Sequence, residues 1–423
     1  MATTDTSHLR IAIIGGGLAG ATLANALIQI PRLEIQVYEA APSFSERGAA
    51  VALGPNALQS LHEILGSSKD DLMKRAGAVP LNSVRSVIGS GPNAGKIVFE
   101  SSDPEPGIIV HRALLLSELV GQLPKTVLHA NKKLAAINLK SDTAALEVVF
   151  EDGTIADFDA VIGADGVFGR VRSFVLGDDA DRYDASPAGF WDCRTLVPFE
   201  KAKTVLGSEL FEKDRQYGWA GDGGYILHDV LDNRTTVHCV ISAVEPSPTR
   251  DRKRPLNREI LTQTLNKWLD GPIAKGMIEL FLEQDNLNGY SQWEHKETPA
   301  YANGSICVIG DAAHATTPWQ GSGAAMAFED AMVLQALLSH ATSSKDIKLA
   351  FNAFDVLRRP RCQRIIDSSR GTGVILCGRD ANAGLDPEKL LEALAPRWDF
   401  IEGLDMIAHK EEALRIFAKA KMG

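Results

Sequence analysis

A chain of 423 residues, 45% hydrophobic and 23% charged, has room for two or three domains at about 150 residues each. That composition excludes a disordered protein, a peptide hormone and a disulfide knot. Its 54 acidic residues outnumber the 44 basic ones, and the net charge of −10 repels nucleic-acid backbones and anionic membrane faces. The basic run Arg250, Arg252, Lys253, Arg254 and Arg258 is broken by Asp251 and Pro255 and reads as a solvated loop, so no nucleic-acid partner is expected. Five scattered cysteines, odd in number and without a C-x-x-C pair, argue against a disulfide framework and fit reduced thiols in the cytoplasm. No stretch approaches the roughly 18 apolar residues of a membrane span, and the first ten residues have no apolar leader.

Residues 10–14 (RIAII) read as a short buried strand, residues 18–30 as an Ala- and Leu-rich helix, and residues 33–38 (LEIQVY) as a second strand. The spacing predicts a βαβ unit. Two hairpins follow, 83–88 with 96–100 around a glycine-rich loop and 146–150 with 154–158 around Glu151-Asp152-Gly153. From about 183 to 293 strand-like pieces dominate, interrupted by one amphipathic stretch at 260–281, which reads as a separate substrate-facing sheet. Apolar strand character returns at 305–309, followed by helical patterns at 321–338, 349–375 and 387–394. The expected organisation is a cofactor domain in two pieces (1–182 and 294–378), a substrate domain (183–293) and a helical tail (379–423).

Gly15-Gly16-Gly17-Leu18-Ala19-Gly20 fits G-x-G-x-x-G between a strand and a helix, where glycines permit a tight turn and close approach of a pyrophosphate to the helix N-terminus. Glu39 ends the second strand about 20 residues on, where an acid can hold a ribose hydroxyl. Two further strands run into a glycine beside an acid: Asp165-Gly166 after DAVIGA, and Gly310-Asp311 after SICVI. There a carboxylate can accept hydrogen bonds from sugar hydroxyls while the backbone stays close.

Those three segments, in this order and at these separations, resemble the flavin-dependent aromatic hydroxylases, the family of para-hydroxybenzoate and salicylate hydroxylases. The resemblance runs through nearly the whole chain. It implies an α/β fold, a Rossmann-like FAD-binding domain with a β-sheet substrate domain and C-terminal helices. It also implies that the first segment (Gly15, Gly17, Leu18, Ala19, Gly20, with Glu39) holds the FAD pyrophosphate and adenosine ribose, that Asp311 holds the ribityl chain, and that Asp165 serves FAD and reduced pyridine nucleotide. By the same resemblance Arg112 meets the FAD backbone, Arg47, Ala50 and Ala52 lie beside the flavin ring, and Pro318 with the amides of Gly321, Gly323 and Ala324 faces the isoalloxazine. The implied reaction uses NADH or NADPH and O2 to hydroxylate a phenol, salicylate-like or polyketide-derived, through a flavin hydroperoxide. A flavoprotein oxidase or reductase without oxygen insertion is the alternative.

Such chemistry needs an activated phenol in a dry pocket, hence a cation and a base. Residues 189–198 and 223–231 are the strands expected to floor the pocket. Arg194 is the expected cation, since a guanidinium pairs bidentately with a carboxylate or holds a phenolate. His228 is the expected base, titrating near neutral pH and sharing a strand face with Ile226 and Val230, opposite Tyr225 and Leu227. Tyr225, Trp219 and Pro318 are expected in the pocket wall. No G-x-S-x-G elbow surrounds Ser322, and the histidines lack metal-ligand spacing, so neither a serine hydrolase nor a metal site is expected.

Overall fold

The protein is described by a computed structural model that covers all residues except 1–7, 46–49, 82, 102–106, 141–144, 214, 232–233 and 249. The β-branched run Leu9–Ile14 is buried along almost its whole length, as a central parallel strand must be. It pairs in parallel with Leu33–Tyr38 on one side and Ala160–Gly163 on the other. The completed six-stranded sheet has the order Ala302–Asn303, Ile306–Val308, Ala160–Gly163, Leu9–Ile14, Leu33–Tyr38, Leu128–His129, and only its Ala302–Asn303 edge runs antiparallel. The helix Leu18–Leu27 crosses between the first two strands. The two long helices Gly323–Leu338 and Ser344–Leu376 share one apolar core with this sheet. The Rossmann-like architecture expected from the βαβ unit is present.

The second sheet has eight strands in the order Lys253–Pro255, Asn288–Glu294, Ser186–Pro198, Thr236–Val244, Gly224–Leu231, Gln216–Gly221, Val84–Ile88, Ile97–Ser101. The hairpin read at 83–100 therefore extends this sheet, pairing in parallel with Gln216–Gly221, although it lies within the stretch assigned by sequence to the cofactor domain. Long-range pairing decides such membership, and local pattern carries no trace of it. The amphipathic stretch at 260–281 is two helices, Arg258–Thr264 and Ala274–Leu282, separated by Gly271 and Pro272. They cover one face of the eight-stranded sheet, burying Trp268, Met277 and Phe281. The other face borders a cavity.

All five cysteines are buried free thiols. Among the described residues no helix is long and apolar enough to cross a membrane.

Candidate active site

A cavity of about 1100 Å³ runs between the two sheets. Its nucleotide-fold end is built by strand-to-turn junctions. Gly15 adopts φ +111°, and a Cβ there would lie 2.2 Å from the Ala164 carbonyl oxygen, so only glycine lets the two strand ends close together. Gly15, Gly17, Leu18 and Ala19 line the cavity. Gly20 does not; it packs behind them against the Gly15 carbonyl, where an added Cβ would come within 2.0 Å. The Glu39 carboxylate reaches this end from the second strand, anchored by the amides of Gly16 (2.8 Å) and Ala41 (2.7 Å).

Asp165 and Asp311 enter from the neighbouring strand ends. Asp165 Oδ2 accepts from the Val171 amide at 3.0 Å while Oδ1 is buried with no hydrogen-bond partner, and burial pushes its pKa up. The turn at Gly310 is pinned from below: Asp330 Oδ2 accepts from the Gly310 amide (3.0 Å) and His314 Nε2 (2.6 Å), and Asp330 Oδ1 accepts from Arg358 Nε (2.8 Å). Arg358 also pairs with Glu329 at 2.6 Å, and Glu329 accepts from Asn56 and Arg361 at 2.8 Å. Burial alone would raise Glu329, but Arg358 and Arg361 outweigh it and hold the carboxyl at about 2. His314, Asp330 and Cys362 also converge here, yet the Arg358 guanidinium already supplies the positive charge that a metal ion would bring. This cluster stiffens the turn carrying Asp311.

Two helices start at the cavity, Leu18–Leu27 after Gly17 and Gly323–Leu338 after Ser322, and neither Gly17 nor Ser322 caps its helix through a side chain. Their N-termini turn the positive ends of two helix dipoles toward one space. Arg112, Ala50, Ala52, Pro318, Gly321, Gly323 and Ala324 all line it. Arg47 lies outside the described residues. Glycine turns, ribose-type acids and two helix N-termini fit a dinucleotide with an anionic pyrophosphate.

The sheet end is a lattice set by strand register. Tyr225, Leu227 and Asp229 point into the cavity from one strand, His238, Val240 and Ser242 from the next, and Arg194 from the third. Arg194 forms a bidentate pair with Asp192, Nε–Oδ1 and Nη2–Oδ2 both 3.1 Å, and Gln292 Nε2 also donates to Asp192 at 3.1 Å. The charge of Asp192 raises the Arg194 pKa further, so the guanidinium is permanently charged.

His228 is not in the cavity. It is fully buried on the opposite face, stacked on Tyr217 (centroids 4.9 Å apart, 10° between planes) and beside Trp219 and Phe211. Burial pushes its pKa down to about 3, so the ring is neutral and structural. Trp219, expected in the pocket wall, shares that core and donates its Nε1 proton to His228 Nδ1 at 3.4 Å. Both misplacements have one cause: even-numbered positions of Gly224–Leu231 and odd-numbered positions of Gln216–Gly221 face the covering helices. Asp229 and His238 line the cavity without having been expected there, although the parity that selects Tyr225 and Leu227 reaches Asp229 two residues on. Leu391, Leu394, Trp398 and Ile401 of the tail also wall the cavity, with no local signal to mark them.

A model of the FAD binding domain matches residues 115–369. The chain belongs to this FAD-binding family. It is 32% identical to a 6-methylsalicylate 1-monooxygenase of Aspergillus terreus, over 98% of this chain and 94% of the relative. A salicylate hydroxylase of Pseudomonas putida is 31% identical over 96% and 94%. A solved salicylate hydroxylase in its substrate complex superposes with a TM-score of 0.83 at 22% identity, covering 97% of this chain and 98% of that one. The protein is an FAD-dependent monooxygenase, as its three glycine-acid segments imply.

Proposed function

We propose that this monooxygenase hydroxylates a phenolic acid or an alkyl-substituted phenol, salicylate-like or polyketide-derived, with NADH or NADPH and O2 as co-substrates. The observation that carries the reading is Arg194, a permanent cation on the cavity face of the sheet, within the space that continues to the dinucleotide end. A guanidinium there suits a carboxylate or phenolate. Tyr225, two strands away on the same face, adds an aromatic wall and a hydroxyl, and Phe99, Leu391, Leu394 and Trp398 add apolar surface that suits an alkyl-bearing ring. The named substrates of the relatives in Aspergillus terreus and Pseudomonas putida, both salicylates, favour the same class.

In this reading the Gly17–Ala19 backbone holds the pyrophosphate of FAD, Glu39 its adenosine ribose and Asp311 its ribityl hydroxyls. Arg112, Ala50, Ala52, Pro318 and the amides of Gly321, Gly323 and Ala324 border the ring system. Bound FAD supplies the route by which electrons from the nicotinamide reach O2 and one oxygen atom reaches the substrate. The residues of the chain orient the phenol, keep it charged and exclude water. The N-terminus of Gly323–Leu338 offers a positive pole to any anionic ring placed against it.

A second cavity of about 310 Å³ favours a pyridine-nucleotide co-substrate. It shares Phe168 and Gly169 with the main one and is lined by Arg172, Arg250, Arg252, Trp293 and His295. Arg252 lies 3.2 Å over the Phe168 ring, so part of the basic run read as a solvated loop borders a cleft suited to phosphate.

The test is an absorption spectrum of the purified protein, then NADH and NADPH consumption with salicylate, 6-methylsalicylate and a panel of alkyl phenols. Flavin bands, phenol-stimulated consumption and a product heavier by one oxygen, or a decarboxylated catechol, are expected. Consumption that no phenol stimulates would move the reading to an oxidase or reductase without oxygen insertion.

A further inference from the structure

We infer that His238 is the proton acceptor for the substrate hydroxyl and that Asp229 positions it; this rests on the phenol reading above. The two residues face each other across neighbouring antiparallel strands, with His238 Nδ1 3.8 Å from Asp229 Oδ2. Both are buried, 5% and 3% exposed, and both line the cavity. Asp229 Oδ1, His238 Nδ1 and His238 Nε2 have no hydrogen-bond partner. An unsatisfied buried polar atom costs about 1–3 kcal/mol. Three of them on one wall of a cavity mark a place that a polar ligand completes.

The surroundings fix the direction of proton transfer. With Asp229 at the Nδ1 side, Nε2 is the imidazole atom left for the ligand. Arg194 pairs in register with Val240, two residues along the strand from His238, so its guanidinium, held by Asp192, stands diagonally beside the ring. Within this sheet Asp192 is bound to Arg194, Tyr225 stands on the Asp229 strand, and Glu100 lies at the far edge bound to Arg85 and Arg215, while the cavity's other walls carry Arg112, Asp165, Asp311 and Glu402. Gln216 and Val84, next to Asp229 in the same row, are neutral. His228 and Cys239 lie on the opposite face.

The step balances without a redox partner. The phenol O–H bond breaks, its electron pair stays on oxygen facing Arg194, and the proton passes to His238 Nε2. Asp229 then faces the imidazolium at Nδ1, the arrangement that favours it. His238 touches the substrate, while Asp229 acts through it.

The test titrates holoenzyme with 4-nitrophenol, whose phenolate absorbs in the visible, and with 4-nitroanisole, which has no proton to lose. Flavin content is checked in each variant. Wild type is expected to bind nitrophenol as the phenolate at a pH below that at which the free compound ionises. In His238→Gln the midpoint of the bound phenolate band should move up by about one pH unit or more. Asp229→Asn should move it in the same direction by less, Asp229→Glu should restore part of the shift, and anisole binding should stay within about twofold. An unchanged midpoint in His238→Gln overturns the assignment. If that variant does not fold, an unchanged midpoint in Asp229→Asn does so. Failure of wild type to bind either probe overturns the phenol reading and this inference with it.

Discussion

The two faces of the strand Gly224–Leu231 have the same backbone, the same neighbouring strands and opposite uses. Tyr225, Leu227 and Asp229 meet an open cavity, whereas Ile226, His228 and Val230 meet a sealed aromatic and aliphatic layer under two helices. One residue of displacement converts an imidazole from a reactive group into a packing element. The contrast lies in desolvation, because burial without a charged partner holds the His228 ring neutral down to about pH 3.

Substitutions on the cavity face test this contrast most severely. Arg194→Ala should raise the substrate KM by one to two orders of magnitude, roughly the value of a lost charge-assisted hydrogen bond, with flavin content unchanged. Steady-state kinetics with the best phenol of the panel measures it, and a KM within threefold of wild type would remove Arg194 from the site. Tyr225→Phe should lower kcat/KM about tenfold. Gly218→Ala should cost a few-fold, because its Cβ would lie 2.3 Å from the Tyr225 hydroxyl and push the ring aside.

On the core face the expected signs differ. His228→Phe should leave kcat and KM within about twofold of wild type and make the fold less sensitive to acid. An unfolded histidine takes up a proton below about pH 6.5 but the folded His228 only near pH 3, so its burial destabilises the fold progressively as pH falls through that window. Acid-unfolding midpoints of wild type and variant should therefore separate, the variant unfolding at lower pH. Trp219→Phe should change turnover least of all, with the loss appearing only as lower stability in urea.

The glycine-acid end of the cavity was legible in the sequence, since each of its parts is a local device. Gly15, Gly17, Leu18, Ala19, Glu39, Asp165 and Asp311 all sit at strand-to-turn junctions recognisable within ten residues, and all of them line the cavity. The substrate half was legible in its residue types and not in its sides. Arg194 and Tyr225 line the cavity while His228 and Trp219 face the core, and alternation cannot say which face the helices 258–264 and 274–282 will cover. The tail was illegible for another reason. Leu391 and Trp398 reach the cavity only through packing between segments hundreds of residues apart, and an amphipathic helix does not announce what it will cover.

That cavity is walled at one end by residues 14–19 and at another by residues 391–402. Its walls thus join the first βαβ unit to helices that lie far along the chain, so the chamber is complete only when the two are docked. Shortening Trp398 should therefore loosen flavin retention even though it touches none of the glycine turns.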